Sequence, residues 1–246
     1  MHMGERIRLD NISFGYGSNL LFQNVSFAVE HGGVLAVAGR SGSGKSTLLE
    51  LAAGLQTPLS GQVEWKGCDL HDMTRKELLA ERHRTGYLFQ THALIHNYPV
   101  FENIALPLRR HFSLSEQEIR ERVFGQLARF GLMSIATMLP DMLSFGQARC
   151  ASLARALVAS PELVFLDEPT SALDPVTTGL VVDILNEYRS QEQVTFVMVS
   201  HNAYMIRAMG CKVMIIENKR LVDISEYSRM DDGRVPDIAA YLRKAV

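Results

Sequence analysis

The stretch Gly39-Arg40-Ser41-Gly42-Ser43-Gly44-Lys45-Ser46-Thr47 decides the fold, because it fits the pattern G-x-x-x-x-G-K-[ST] in full. The apolar run at 34–38 that precedes it is typical of a buried parallel strand. Residues 46–53 have helical character, and Gly54 suits the position just after a helix. A strand, a glycine-rich loop and a helix in this order predict a phosphate-binding loop.

The residue types in this loop suit a chain of phosphates. Glycines let phosphate oxygens approach bare backbone, so that successive N–H groups point into one concavity at the positive end of the helix. We expect Lys45 to reach the β- and γ-phosphates and the Ser46 hydroxyl to complete the shell of a Mg²⁺ ion. The alternative is an ordinary glycine turn between a strand and a helix.

Composition sets wide limits on the function. The 246 residues are enough for one large or two small domains, and a net charge of −2 gives no overall attraction to nucleic acid or anionic membranes. Three cysteines without C-x-x-C spacing are expected as small apolar fillers in a reducing cytoplasm. Residues 1–6 lack the apolar core of a signal peptide, and no apolar run approaches the ~20 residues that cross a bilayer. Any membrane association is therefore expected to be peripheral.

Alternating apolar residues predict several strands. Residues 7–14 and 21–29, with glycine turns around them, have the pattern of antiparallel strands, and Tyr16 in the first turn is a candidate for stacking on a base. Residues 62–65 are expected to form a short exposed strand, in which Trp65 is a packing residue. Residues 87–89 are expected to form a buried strand ending at Gln90, and ligands of α/β sheets bind at such strand ends.

Two further strands deliver polar residues at their ends. The apolar run at 163–166 leads into Asp167 and Glu168, and the β-branched run at 194–199, expected as a central strand, leads to His201. A buried carboxylate pair is costly unless a cation or a proton shares it, and a Mg²⁺ ion opposite Lys45 would meet that need.

Residues 99–160 carry helical patterns and no strand pattern. Residues 100–106 have helical period, and Pro107 is expected to bend or end that helix. A capping box at 115–118 opens a second helix, which Gly131 ends. Ser144 and Gln147 have capping-box spacing at the start of a third helix. Asp174 followed by proline is typical of a helix start at an N-cap.

Taken in order, these motifs resemble the ATP-binding-cassette ATPase family over nearly the whole chain. The resemblance implies an α/β fold: a P-loop NTPase core with a parallel sheet, an N-terminal antiparallel β subdomain and an inserted α-helical subdomain at about 99–160. All of it would belong to one nucleotide-binding domain spanning 1–246. ATP and Mg²⁺ are the implied cofactors, and ATP hydrolysis is the implied activity.

The same resemblance implies roles for individual residues. Tyr16 would stack on the adenine, and residues 39–47 would form the Walker A loop. Ser46, Gln90 and Asp167 would hold Mg²⁺. Glu168 would polarise the attacking water, with Gln90 and His201 completing the catalytic set.

The remaining motif residues imply a dimer. Ser144, Gly146 and Gln147 match signature positions that cap the γ-phosphate bound by the opposite subunit, and Asp174 matches the aspartate that joins the two sites. One loop and one signature per chain imply a head-to-tail homodimer around two ATP molecules. Phe145 stands where the family usually has glycine; we expect its side chain to point away from the phosphate and activity to survive.

Residues 89–94 and 100–109 are most similar to the ATPases of bacterial MCE-type phospholipid transporters. This finer resemblance implies a permease partner and an MCE-domain protein as a further component. It also implies a place on the cytoplasmic side of the inner membrane and phospholipid transport between the two membranes. The permease helix would enter a groove between Gln90 and the helical insertion, against exposed apolar side chains at 98–104. Lipoprotein-releasing or macrolide-export systems, a soluble cassette protein acting on ribosomes or DNA, and a small-molecule phosphotransferase remain alternatives. No nucleic-acid partner is expected.

Overall fold

The computed structural model describes residues 4–17 and 19–224. The short helix expected at 238–246 lies outside these residues. The strands are β1 (Glu5–Tyr16), β2 (Asn19–Glu30), β3 (Val34–Gly39), β4 (Ser60–Trp65), β5 (Cys68–Asp69), β6 (Thr85–Leu88), β7 (Leu163–Asp167), β8 (Thr195–Val199), β9 (Lys212–Glu217) and β10 (Arg220–Asp223).

The helices are α1 (Lys45–Ala52), α2 (Arg75–Arg82), α3 (Val100–His111), α4 (Glu116–Arg129), α5 (Phe145–Leu157), α6 (Pro175–Glu192) and α7 (Ala203–Ala208). Two short 3₁₀ turns, Met133–Ile135 and Pro140–Met142, lie between α4 and α5. No helix in the ranges above is long and apolar enough to cross a bilayer.

The larger sheet has six strands in the order β10-β9-β3-β8-β7-β6. All neighbours are parallel except the edge hairpin of β9 and β10. Every residue of β3, β7 and β8 is buried, because helices or the second sheet cover both faces of these strands. The run at 194–199 is therefore a central strand, as predicted.

The second sheet is antiparallel, in the order β2-β1-β4-β5. It confirms the predicted N-terminal β layer, but the expectation of an exposed strand at 62–65 was wrong. Val63 and Trp65 are buried, and Trp65 Nε1 donates a hydrogen bond to the carbonyl of Ala52 at 3.0 Å. The indole also stacks on Phe165 of β7, with ring centroids 6.1 Å apart. The inward-facing Trp65 of β4 thus packs this sheet against α1 and the larger sheet.

The helical insertion consists of α3, α4 and α5. Both ends of α4 are where the sequence predicts them, with a complete capping box at Ser115 and Gly131 at a φ of +67°. Of the two outcomes expected at Pro107, a bend or an end of the helix, the end is wrong, because α3 continues through the proline to His111. Ile104 and Leu108 are fully buried on either side of the proline, and this packing outweighs the lost backbone hydrogen bond.

Three smaller expectations also need correction. Phe89 lies beyond the end of β6 and is exposed, because the carbonyls of Phe89 and Gln90 turn toward a side chain of α5. Of the apolar side chains at 98–104, Val100 and Ile104 are buried, and Tyr98 is the exposed one. Cys68 is exposed, so it is not a core filler as Cys150 is.

Candidate active site

The phosphate-binding loop connects β3 to α1, and its shape depends on glycine. Gly44 has a φ of +91°, and a Cβ there would lie 2.7 Å from Phe22 Cζ. Gly42 has a φ of +76° and faces open space. Both positions are in the region that glycine adopts without strain. The loop therefore presents bare backbone at the N-terminus of α1.

Lys45 lies against its own loop. Its Nζ donates hydrogen bonds to the carbonyls of Gly39 and Arg40, each at 3.0 Å. Burial lowers the pKa of Lys45, although the carboxylates of Glu168 and Asp167 act in the opposite direction. The ammonium is thus held at the floor of the loop, close to two acidic groups.

A cleft of about 900 Å³ opens beside the loop. One wall of the cleft consists of predicted site residues: the aromatic Tyr16 and the loop residues Ser41, Gly42, Gly44, Lys45, Ser46 and Thr47. Tyr16 is 56% exposed and contacts Phe14 edge-on. Gly39, Arg40 and Ser43 instead line a neighbouring hollow, which residues 215–219 close on the far side.

The carboxyl ends of three parallel strands supply the opposite wall of this cleft. Gln90 follows β6, Asp167 ends β7 with Glu168 next to it, and His201 follows β8. Parallel strands bring their carboxyl ends to one edge of the sheet, which is why residues far apart in sequence meet here. The structure thus brings the predicted catalytic and metal-binding side chains together.

Asp167 has the environment of a cation ligand. Its side chain is 3% exposed, and its Oδ1 has no hydrogen-bond partner among the described residues. Burial raises the pKa of this carboxyl, while a hydrogen bond from Ser46 and the charge of Arg149 oppose the rise. A buried carboxylate oxygen without a partner, beside a hydroxyl oxygen, fits the all-oxygen coordination that Mg²⁺ prefers.

Glu168 has a raised pKa. It lies in the left-handed region, with a φ of +51°, and His201 Nε2 is 3.2 Å from its Oε1. Burial, with the nearby charge of Asp167, raises the pKa of Glu168 to about 7. Burial, followed by the charge of Lys45, lowers the pKa of His201, so a neutral imidazole can donate its Nε2 proton to the carboxylate.

Sequence analysis missed three polar residues of the cleft, Thr170, Ser171 and Asn202. Thr170 is buried, and its Oγ1 accepts a hydrogen bond from Asn202 Nδ2 at 3.2 Å. Asn202 also caps α7 by accepting from the N–H of Met205 at 3.0 Å. The position of an asparagine directly after His201, at the start of a helix, was the available signal.

The predicted signature residues do not line this cleft. Ser144 caps α5 by accepting from the N–H of Gln147 at 3.2 Å, and Gln147 Oε1 accepts from the N–H of Ser144 at 2.9 Å. Asp174 caps α6 in the same manner, accepting from the N–H groups of Val176 and Thr177. The capping predictions are confirmed, and these residues lie outside the chain's own cleft.

The signature segment and the start of α6 lie side by side. A Cβ at Gly146 would be 3.4 Å from Leu173 Cδ2, next to Asp174. Phe145 is 49% exposed and lies edge-on against His92, with ring centroids 4.4 Å apart. The N-termini of α5 and α6 therefore lie on one exposed surface. A ligand bound to these N-termini would not be the one held in this chain's own cleft.

A sequence profile of the ABC transporter family matches residues 22–171. The chain belongs to this family. As an ABC transporter ATPase it is an ATP-binding and ATP-hydrolysing transporter subunit. Solved relatives include the dimeric ATP-binding cassette MJ0796, in a post-hydrolysis state with ADP and phosphate, at 28% identity and a TM-score of 0.81; the match covers 89% of this chain and 98% of that one.

Curated relatives of this ABC ATPase fall into more than one transport class. The intermembrane phospholipid transport ATP-binding protein MlaF of Escherichia coli K12 is 36% identical over 236 residues, covering 96% of this chain and 88% of the relative. MlaF of Haemophilus influenzae is 33% identical over 216 residues, covering 88% and 82%. The methionine import protein MetN of Carboxydothermus hydrogenoformans is 36% identical over 200 residues, covering 81% of this chain and 59% of the relative.

Proposed function

We propose that this ABC ATPase powers a membrane permease that moves phospholipid between the inner and outer membranes of a bacterium. The observation that carries the proposal is the 36% identity to an intermembrane phospholipid transport protein over 96% of the chain. On this proposal the subunit lies on the cytoplasmic side of the inner membrane, beneath the permease. An MCE-domain protein is the expected lipid-binding component of the same system.

The working form would be a head-to-tail homodimer with two ATP molecules between the subunits. In support, the cleft of one chain holds the loop and the carboxylates but none of Ser144, Gly146, Gln147 or Asp174. Two helix N-termini, those of α5 and α6, are exposed on another surface and would complete the partner's site. The dimeric state of MJ0796, which is 28% identical, also favours this arrangement.

Within each site, hydrolysis would depend on positioning and charge neutralisation. The adenine would stack on Tyr16, and Lys45 would leave its loop carbonyls for the phosphates. Ser46, Gln90 and Asp167 would hold Mg²⁺, which when bound neutralises phosphate charge. Glu168, oriented by the Nε2 proton of His201, would accept a hydrogen bond from the attacking water and align it with the γ-phosphorus.

A groove of about 550 Å³ is the proposed docking site for the permease. It lies between the segment after β6 and helices α3 and α5. Its lining is basic, with no acidic residue among the following: Arg82, His83, Thr85, Gly86, Tyr87, Phe89, Ala93, Ile95, Leu106, Pro107, Arg110, His111, Phe112, Arg155, Ala156 and Ala159. On this proposal a short cytoplasmic helix of the permease would dock in this groove, whose lining residue Phe89 directly precedes Gln90.

Methionine import is the second candidate, because MetN proteins are also 33–36% identical. The two candidates differ in cargo and not in the chemistry of this subunit. The genes that neighbour this chain separate them: an MCE-domain protein favours lipid transport, and a periplasmic amino-acid-binding protein favours import.

The test is reconstitution with the permease encoded in the same operon. The purified complex, placed in liposomes with a fluorescent phospholipid, should move the lipid to acceptor vesicles only when ATP is present. A complex carrying Glu168→Gln should bind ATP, form a stable dimer and move no lipid. ATP-dependent uptake of methionine without lipid transfer would refute the phospholipid proposal. Hydrolysis by a stable monomer, independent of protein concentration, would refute the dimer.

A further inference from the structure

Arg149 is a buried cation whose hydrogen-bond partners are all backbone carbonyls. Its side chain is 1% exposed. Nη1 donates to the carbonyls of Phe89 and Gln90, at 2.6 and 3.1 Å. Nη2 donates to the carbonyls of Asp167 and Glu168. One guanidinium thus bridges two adjacent parallel strands just where β6 and β7 end.

Three of these four carbonyls, those of Gln90, Asp167 and Glu168, belong to the residues assigned to the metal and the attacking water. Gln90 follows β6, whereas Asp167 and Glu168 end and follow β7. Arg149 itself lies on α5, two residues after Gln147. A single side chain therefore links the signature helix, the segment that carries Gln90 and the turn that carries Glu168.

The chemistry of arginine suits this position. A planar guanidinium presents donors in a fixed fork, so each terminal nitrogen can hold one pair of carbonyls. An apolar side chain of similar length would fill the same space without the cost of removing a cation from water. The attraction of the nearby Asp167 and Glu168 carboxylates offsets part of that cost. The guanidinium thus provides hydrogen bonds to four carbonyls, which an apolar side chain could not make.

We propose that Arg149 is a positioning residue, which holds Gln90 and Glu168 in the arrangement needed for hydrolysis. The proposal rests on the catalytic role proposed for Glu168, and it is independent of the cargo. Arg149 does not itself line the cleft; it contacts only the backbone of residues that do. Its loss should therefore slow turnover and leave ATP binding nearly unchanged.

Two variants test this proposal in the full-length protein. In Arg149→Met the strand ends lose their common anchor, and we expect kcat to fall about ten- to hundredfold, since small misplacements of reacting groups have effects of this size. Arg149→Lys keeps the charge but lacks the fork, and we expect kcat about tenfold below wild type. In both, the KM for ATP and the Kd of a fluorescent ATP analogue should stay within about threefold of wild type.

Arg6→Met is the matched control. Arg6 is equally buried, pairs with Glu81 at 3.2 Å and does not line the cleft. Its loss should lower the melting temperature, with kcat within about twofold of wild type for the folded protein. If Arg149→Met does not fold, the comparison is made with Arg149→Lys alone.

The outcomes separate this proposal from the one it rests on. Wild-type kcat in Arg149→Lys, with Glu168→Gln inactive, would overturn the role of Arg149 alone. Wild-type kcat in Glu168→Gln would overturn both roles. Equal losses in kcat and in ATP affinity would also overturn the proposal, because they would indicate general damage to the fold.

Discussion

Glu168→Gln should make the nucleotide-free protein more stable, and increasingly so as the pH rises. The wild-type carboxyl titrates at about 7 in the folded protein, against the ordinary value of 4.5. The protonated form is therefore favoured by folding. Stability from this group is fully present below pH 4.5 and is lost as the pH rises through 7. Glutamine has the shape of the protonated acid and does not titrate.

The magnitude follows from the two pKa values. A shift of this size corresponds to a difference in unfolding free energy of about 3 kcal/mol between variant and wild type at pH 8.5. At pH 5.5 the difference falls to about 1.4 kcal/mol. For a chain of this length each kcal/mol raises the melting temperature by about 2–4 °C, so the variant should melt several degrees higher at pH 8.5.

The assay is thermal or urea unfolding of both proteins between pH 5 and 9, without nucleotide or Mg²⁺. The difference between variant and wild type is the relevant quantity, because titrating groups that do not interact with Glu168 cancel in it. The control is Glu192→Gln, an exposed carboxylate on α6, where we expect a change within about 0.5 kcal/mol at every pH. A Glu168→Gln protein no more stable than wild type at pH 8.5 would refute the reasoning, as would a difference that does not change with pH.

Three further predictions concern turnover and the core. The kcat/KM for ATP should fall as the pH drops through about 7, because protonation removes the Glu168 charge that polarises the attacking water and leaves a weaker hydrogen-bond acceptor; an acid limb near pH 4.5 would contradict this. Phe145→Gly should change kcat by less than about tenfold, since the ring lies against His92. A rise of several orders of magnitude in an ATPase assay would contradict this and would show that the phenylalanine at this position slows the enzyme. Leu127→Ala, in the fully buried stripe of α4, should lower the urea-unfolding free energy by about 2–5 kcal/mol; a loss under 1 kcal/mol would mean that α4 is not packed as described.

The sequence predicted those features whose causes are local. The glycines of the loop, the capping box at Ser115 and the glycine at 131 act through backbone geometry within a few residues, and all three lie where expected. The wall of the cleft was also predictable, because parallel strands must bring their ends to one edge.

The failures have causes that are distant in sequence. The end of β6 depends on Arg149, which lies 60 residues from Phe89. The helix α3 continues past Pro107 because Ile104 and Leu108 are buried against other elements. The sequence of α3 alone does not show these contacts. The strand at 62–65 was expected to be exposed because the residues that it packs against, such as Phe165 beside Trp65, lie on another sheet. Partners of this kind cannot be identified from periodicity or propensity.

The hydrogen bonds from Lys45 to the carbonyls of Gly39 and Arg40 affect how any change at this lysine is interpreted. Without nucleotide, the ammonium is the hydrogen-bond donor for these two carbonyls and keeps them directed into the loop. Phosphate binding is then an exchange of acceptors around one cation, and only the difference between the two sets counts toward affinity. Removing Lys45 would relax the empty loop and weaken the complex at the same time. The affinity lost would therefore combine two effects, the change in the conformation of the empty loop and the loss of the contact to phosphate.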